Sequence, residues 1–347
     1  MRRHLNTLFV TTQGTWLNKD GMNVVVSLEG KELGRAPIHT LGGVVCFGRV
    51  LMSPPLMGYC AEEQVGVSFL TEEGRFLARV VGAQSGNVLL RREQYRRADD
   101  AGPCASIVRA IVMAKVLNQR AVARRTLRDH SDALDAGEKA RLESAADRLT
   151  SIARKVEKPL GADEARGAEG EAGHVYFAVF DHFIRAGKDK FKFAGRSRRP
   201  PLDEVNALLS FIYSLLAHDV RSALEPVGLD PAVGFLHRDR PGRPSLALDM
   251  MEEFRPGFAD RLALSLINRR QLDPSEDFRR FENGAVLLSD QGRKTVLVAY
   301  QERKRDEIKH TFLDETVTVG LLWHLQAQLL ARHLRGDLDG YPPFVWK

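Results

Sequence analysis

The chain is poor in cysteine. It has three, Cys46, Cys60 and Cys104, among 347 residues, and none lies in a CxxC pair. Neither a disulfide framework nor a thiolate zinc cage can be built from them, so they read as buried or free thiols in a reducing compartment. There is no HExxH and no second histidine at ligand spacing, which argues against zinc hydrolase chemistry. No apolar stretch approaches the length that spans a bilayer. The basic start Met1-Arg2-Arg3-His4-Leu5-Asn6 leads into apolar residues interrupted by Thr, Gln and Gly, unlike a secretory signal. No internal repeat is found. The expectation is a soluble cytoplasmic protein with no membrane partner.

What is present begins with size and charge. At 347 residues two domains are the default. A hydrophobic share of 44% allows a sizeable core. The net charge of +6 admits an anionic partner without requiring one. The positive charge is clustered: Arg91, Arg92, Arg96 and Arg97; Arg120, Arg124 and Arg125; Arg196, Arg198 and Arg199. Each cluster reads equally well as a solvated face.

The first hundred residues read as β. Asn23 to Leu28 is rich in valine, Val44-Val45-Cys46-Phe47 follows a Gly pair, and Glu72-Glu73-Gly74 separates two apolar runs as a hairpin turn would. Beyond Asp99-Asp100-Ala101-Gly102-Pro103 the apolar period becomes helical, with Ser106 as a candidate N-cap. Helices are predicted over 106–121, 132–149, 170–186, 204–225, 258–272 and 317–335. Lys188 to Pro201 is predicted as a loop, and 281–300 as a hairpin turning at Asp290-Gln291-Gly292. The fold class is α+β: a small N-terminal antiparallel β domain over residues 1–99, then a larger, mostly α-helical domain over 100–347.

The segment from Gly234 to Pro256 holds one histidine, four carboxylates and four arginines. His237 follows a short apolar stretch. A rigid Gly- and Pro-containing loop comes next, and its arginines suit phosphate oxygens. If the following residues are helical, Asp249 and Glu252 share a face. Glu169, placed at the start of a helix after Arg166-Gly167, closes a third side. Such a set suits Mg²⁺ or Mn²⁺, and a solvated acidic patch with a capping histidine fits the same residues. His218 and Asn206 lie on the 204–225 helix, where a histidine is more often structural.

These motifs resemble the CRISPR-associated spacer integrase family (Cas-one), the larger subunit of the CRISPR adaptation complex. The resemblance rests on Arg166-Gly167-Ala168-Glu169-Gly170, Asn206 to Phe211, Gly228-Leu229-Asp230-Pro231 with Gly234 to His237, Arg240 to Pro256, and the tail Tyr341-Pro342-Pro343-Phe344-Val345-Trp346-Lys347. Tail and Ala331 to Leu338 are most similar to members found with type I-C systems. The resemblance implies a metal-dependent DNA endonuclease and integrase that joins the 3′-hydroxyl of a captured fragment to a CRISPR repeat. It implies Glu169, His237 and Glu252 as ligands of Mg²⁺ or Mn²⁺, with Asp249 beside them as a rival third ligand or an orienting group. Glu171 and Glu253 are poorer candidates. Arg243 and Arg255 match basic positions near the site, and Arg196, Arg198 and Arg199 are offered as further DNA phosphate contacts. The implied partners are DNA, a second copy in a homodimer, and the small second adaptation protein in a hetero-hexamer. A general metal-dependent repair nuclease and a non-catalytic DNA-binding scaffold remain as alternative readings.

Overall fold

The structure, a computed structural model, describes residues 6–82 and 88–346. Most of the basic N-terminal start and the final Lys347 lie outside the described residues. The β part contains β1 (Asn6–Val10), β2 (Trp16–Asp20), β3 (Asn23–Leu28), β4 (Lys31–Pro37), β5 (Leu41–Phe47), β6 (Leu51–Met52), α1 (Pro54–Glu62), β7 (Gly66–Leu70) and β8 (Phe76–Val80). One sheet runs β4-β3-β2-β6 and the other β1-β5-β7-β8. The β2–β3–β4 meander and the β7–β8 hairpin are antiparallel, as the α+β reading expects. Within that frame, β1/β5, β5/β7 and β2/β6 pair in parallel. The β3–β4 turn uses Glu29 and Gly30, both at positive φ, which matches the right-handed twist of the flanking strands.

β5 explains how this part joins the rest. Its side chains alternate between faces, yet Val44, Val45, Cys46 and Phe47 are all buried. Val44 and Cys46 belong to the core between the two sheets, with Leu17, Val24, Leu56 and Val67. Val45 and Phe47 belong to the helical core. The continuous apolar run is thus the mark of a strand covered on both faces.

The helical part contains α2 (Val88–Asp99), α3 (Ala101–Asp129), α4 (Ala136–Glu157), α5 (Ala162–Ala178), α6 (Glu204–Val227), α7 (Ser245–Met251) and α8 (Arg261–Asn268). Beyond them come β9 (Phe278–Arg280), β10 (Val286–Leu288), α9 (Asp290–Arg305), β11 (Glu307–Lys309), β12 (Thr316–Thr318) and α10 (Leu322–Arg335). α3 is the central helix, with α4 and α5 packed along it. It corrects the expectation that no stretch reaches bilayer length, because its 29 residues qualify by length and composition. More than half of its most apolar stretch, 56%, is buried inside the protein, as befits a core helix.

Several boundaries differ from expectation. α3 is capped by Asp100, which accepts from the Gly102 N–H at 3.1 Å, not by Ser106. Pro103 is tolerated because the first-turn N–H groups have no intrahelical partner anyway. α5 begins eight residues before the expected 170, since packing on α3 and α4 outweighs the low helix propensity of Gly167 and Gly170. The expected turn at Asp290 is instead the first turn of α9, with Ser289 as N-cap. The hairpin there is the earlier β9–β10 pair. The predicted 258–272 helix is a π-helical turn, Arg255–Asp260, followed by α8.

Candidate active site

His237 is placed by a carboxylate. α6 ends at Gly228 in the left-handed conformation, and the chain then loops back over α7. Asp249, on α7 and fully buried, accepts from the N–H groups of Phe235 at 2.6 Å, Leu236 at 2.9 Å and His237 at 2.9 Å. Its Oδ1 also lies 2.7 Å from His237 Nδ1. A carboxylate can only accept, so Nδ1 carries a proton and Nε2 is the ring nitrogen turned away from Asp249. Gly234 makes this approach possible: a Cβ there would stand 2.7 Å from Asp249 Oδ2 and 2.8 Å from the Ser245 backbone.

Arg166 clips the same loop to α5. Its Nε donates to the Leu236 carbonyl at 2.7 Å and one Nη to the Phe235 carbonyl at 2.8 Å. Less than one turn further along α5 is Glu169. It sits in the body of the helix rather than at its start, and its side chain is partly exposed.

Glu252 lies just past α7 and is buried. Arg255 donates to its Oε1 at 2.5 Å and stacks on Tyr213, its Cζ 4.9 Å from the ring centre. Burial opposes ionisation of Glu252, but the Arg255 guanidinium and the Lys115 ammonium beside it hold its carboxyl below the usual carboxylate range. Sequence reasoning passed over Lys115. From the middle of α3 its buried ammonium donates to Glu169 and lies 2.8 Å from Glu252 Oε2. One cation therefore ties together two of the expected ligands. Among the described residues no three carboxylate, imidazole or thiol groups converge at metal-ligand spacing.

Lys115, Glu169 and Arg255 border a cleft of about 500 Å³, which Arg196, Arg198 and Tyr213 also line. Gly170 and Gly173 add no side chain to the α5 wall, which presents Glu169, His174 and Phe177 to the cleft. The three arginines of the 196–199 loop are not equivalent. Arg196 is committed to the Ser197 carbonyl, Asn206 and Ser210. Arg198, on the cleft, and Arg199 are exposed. Arg243 is half-buried in a turn through Gly242. At the back of the cleft, Asp260 accepts from Tyr176 and Tyr213, and burial pushes its carboxyl up to about 6.

The remaining candidates serve the fold. Glu171 pairs with Arg148. Glu253 is buried under the C-terminal tail, accepting from Tyr341, the Phe344 N–H and Gln326. Asn118 on α3 binds the Trp346 N–H and the Phe344 carbonyl, so the Tyr-Pro-Pro-Phe-Val-Trp motif is a strap holding α3 to the Glu252 turn. His218 contacts Ser68 across the two parts at 2.9 Å, and burial lowers its pKa. The three cysteines are free and buried, and burial raises the Cys46 thiol to about 12.

Comparison with known proteins follows the same outline. The family model described as CRISPR associated protein Cas1 matches residues 8–302. The chain is 58% identical over 348 residues to "CRISPR-associated endonuclease Cas1 2" of Rhodospirillum rubrum, covering 100% of both chains. It is 55% identical over 347 residues to "CRISPR-associated endonuclease Cas1 1" of Chlorobaculum tepidum, again over 100% of both. Its fold superimposes on a solved CAS1 protein from Thermotoga maritima with a TM-score of 0.80 at 24% identity, covering 99% of this chain and 100% of the other.

Proposed function

The chain belongs to the Cas1 family of CRISPR-associated proteins, with the general nuclease/integrase function in CRISPR adaptation that this implies, and on that premise we propose that it is a divalent-metal-dependent DNA endonuclease and integrase. In this reading it joins the 3′-hydroxyl of a captured DNA fragment to a CRISPR repeat by phosphoryl transfer. The observation that supports it most is that two acids from different elements, Glu169 on α5 and Glu252 after α7, share the Lys115 ammonium beside a cleft, while Asp249 fixes the His237 imidazole.

The donor set fits Mg²⁺ or Mn²⁺. Two hard carboxylates and one neutral imidazole nitrogen are what such ions take, Mn²⁺ tolerating the nitrogen better. Glu252 Oε2 is buried, and its contact with Lys115 lacks the directionality of a hydrogen bond. Glu169, His237 and Glu252 would hold the ion. When bound it supplies Lewis-acid stabilisation of the charge that builds on the phosphate oxygens. Asp249 orients the His237 ring and sets its tautomer, acting through the histidine and not on the substrate. Arg255 keeps Glu252 ionised and its carboxylate aimed. Arg198 on the cleft and its exposed neighbour Arg199, with Arg243 on the His237 loop, attract the phosphate backbone.

The proposed partners are DNA, a second copy of the chain in a homodimer, and the small second adaptation protein in a hetero-hexamer, in the cytoplasm. The test is a strand-transfer assay. Purified protein, with and without the small partner, is mixed with a short 3′-hydroxyl duplex and a repeat-bearing plasmid in Mg²⁺ or Mn²⁺, beside His237→Ala. Metal-dependent joined product that vanishes in the variant supports integration through this site. Plasmid nicking without joining moves the reading to a plain nuclease.

A further inference from the structure

Lys115 raises a question that the proposed chemistry leaves open. Its ammonium is buried and makes ion pairs with both Glu169 and Glu252. Arg255 already pairs with the other oxygen of Glu252. The two carboxylates therefore face two cationic side chains, and the local charge is balanced without any metal. A divalent ion entering between Glu169 and Glu252 would need carboxylate oxygens at about 2.0–2.2 Å. It would meet the Lys115 charge at closest range, where screening is weak. The ion and the ammonium cannot hold the same oxygens together.

Resting on the metal-site reading above, we propose that Lys115 is a displaceable internal cation. It keeps Glu169 and Glu252 drawn together before metal binds, and it gives up its place when metal enters. The fold provides for both positions. Lys115 projects from the core helix α3 and also borders the cleft of about 500 Å³, so a lysine side chain has room to swing there without unpacking α3. A short side chain at this position would lack that reach, and an arginine would lock both carboxylates in its planar fork.

Two measurements test the proposal without relying on catalysis. The first is Mn²⁺ binding, followed by calorimetry and by the paramagnetic resonance of free Mn²⁺, for wild type, Lys115→Met and Glu252→Gln. Removing one competing unit charge a few ångström away should tighten Mn²⁺ binding by Lys115→Met on the order of tenfold or more. Equal or weaker binding by that variant overturns the proposal. Glu252→Gln separates the two claims. If wild type binds Mn²⁺ and Glu252→Gln does not, the metal-site reading stands whatever Lys115→Met does. If Mn²⁺ binding does not depend on Glu252, the metal-site reading and this inference fall together.

The second measurement uses wild-type protein, so it holds even if Lys115→Met does not fold. Lysines are acylated with a water-soluble reagent and the rate at Lys115 is read by mass spectrometry. Saturating Mn²⁺ should raise that rate several-fold, while exposed lysines such as Lys192 are unaffected. A rate at Lys115 that is unchanged or reduced by Mn²⁺ overturns the displacement.

Discussion

Asp249 holds His237 twice: its Oδ1 accepts from the His237 main-chain N–H at 2.9 Å and lies 2.7 Å from the ring Nδ1. Asp249→Asn keeps the shape but exchanges one acceptor for a donor. The expected result is a loss of roughly 10- to 100-fold in strand-transfer rate, the usual cost of removing a partner that orients a metal-binding histidine. Strand-transfer kinetics at fixed Mn²⁺ check it. A rate equal to wild type removes Asp249 from the positioning role.

Gly234→Ala tests the same junction from the backbone side. The added methyl would meet the Asp249 carboxylate and the Ser245 main chain below 3 Å. Overpacking of this kind costs about 1–3 kcal/mol, and it should also displace the His237 loop. Urea denaturation and the transfer assay are both expected to report the loss.

Glu138 sets a pH dependence. It sits in the first turn of α4, hydrogen-bonded to Arg185 and Lys188. Burial opposes its ionisation, but those two cations prevail and bring its pKa from 4.5 to about 2. The folded pKa is depressed, so the stabilisation is complete above about 4.5 and is lost as pH falls toward 2. Thermal melts of wild type and Glu138→Gln should differ by a constant amount between pH 7 and 5. That gap should narrow steadily below pH 4.5. A gap that widens on acidification contradicts the assignment.

The arginines at 196–199 should separate by role. Arg198→Ala and Arg199→Ala together are expected to weaken binding of fragment-like duplex DNA and to reduce the salt slope by about 1–2 units, because phosphate contacts release counterions. Their melting temperature should stay at the wild-type value, since both side chains are exposed. Arg196→Ala should instead lower stability, by about 1–3 kcal/mol, by removing the charged hydrogen bonds that tie this loop to Asn206 and Ser210 on α6.

Trp346→Ala should open the strap. The Trp346 ring packs against Gly257, where a Cβ would meet it at 2.3 Å, and its ring N–H faces the Glu253 carbonyl. Truncating a buried aromatic of this size costs about 3–5 kcal/mol. Calorimetry is expected to show the loss.

The chain announces much of this. Short Gly-bounded strands followed by long helical periods carry the α+β order, whereas Asp249 and Glu252, three apart in sequence, turn to different partners, the 235–237 loop and the Lys115–Arg255 pair. What stayed hidden is long-range. Lys115 looks like an ordinary mid-helix lysine, and its two partners come from α5 and the end of α7. α9 imitates a strand in sequence because Thr295-Val296-Leu297-Val298 is rich in β-branched residues, whereas Val296, Leu297 and Tyr300 pack as a helical face. Arg166 stands out in sequence only as part of its motif, and the fold makes it a clip on the His237 loop.

β5 has a practical consequence for anyone who wishes to insert a reporter or an affinity sequence. One residue added to this strand would exchange its two faces, sending Phe47 toward the space of Cys46 and turning both cores to the wrong partners at once. The exposed Glu29-Gly30 hairpin tip carries no such burden. Foreign sequence belongs there, where length can change without consulting either core.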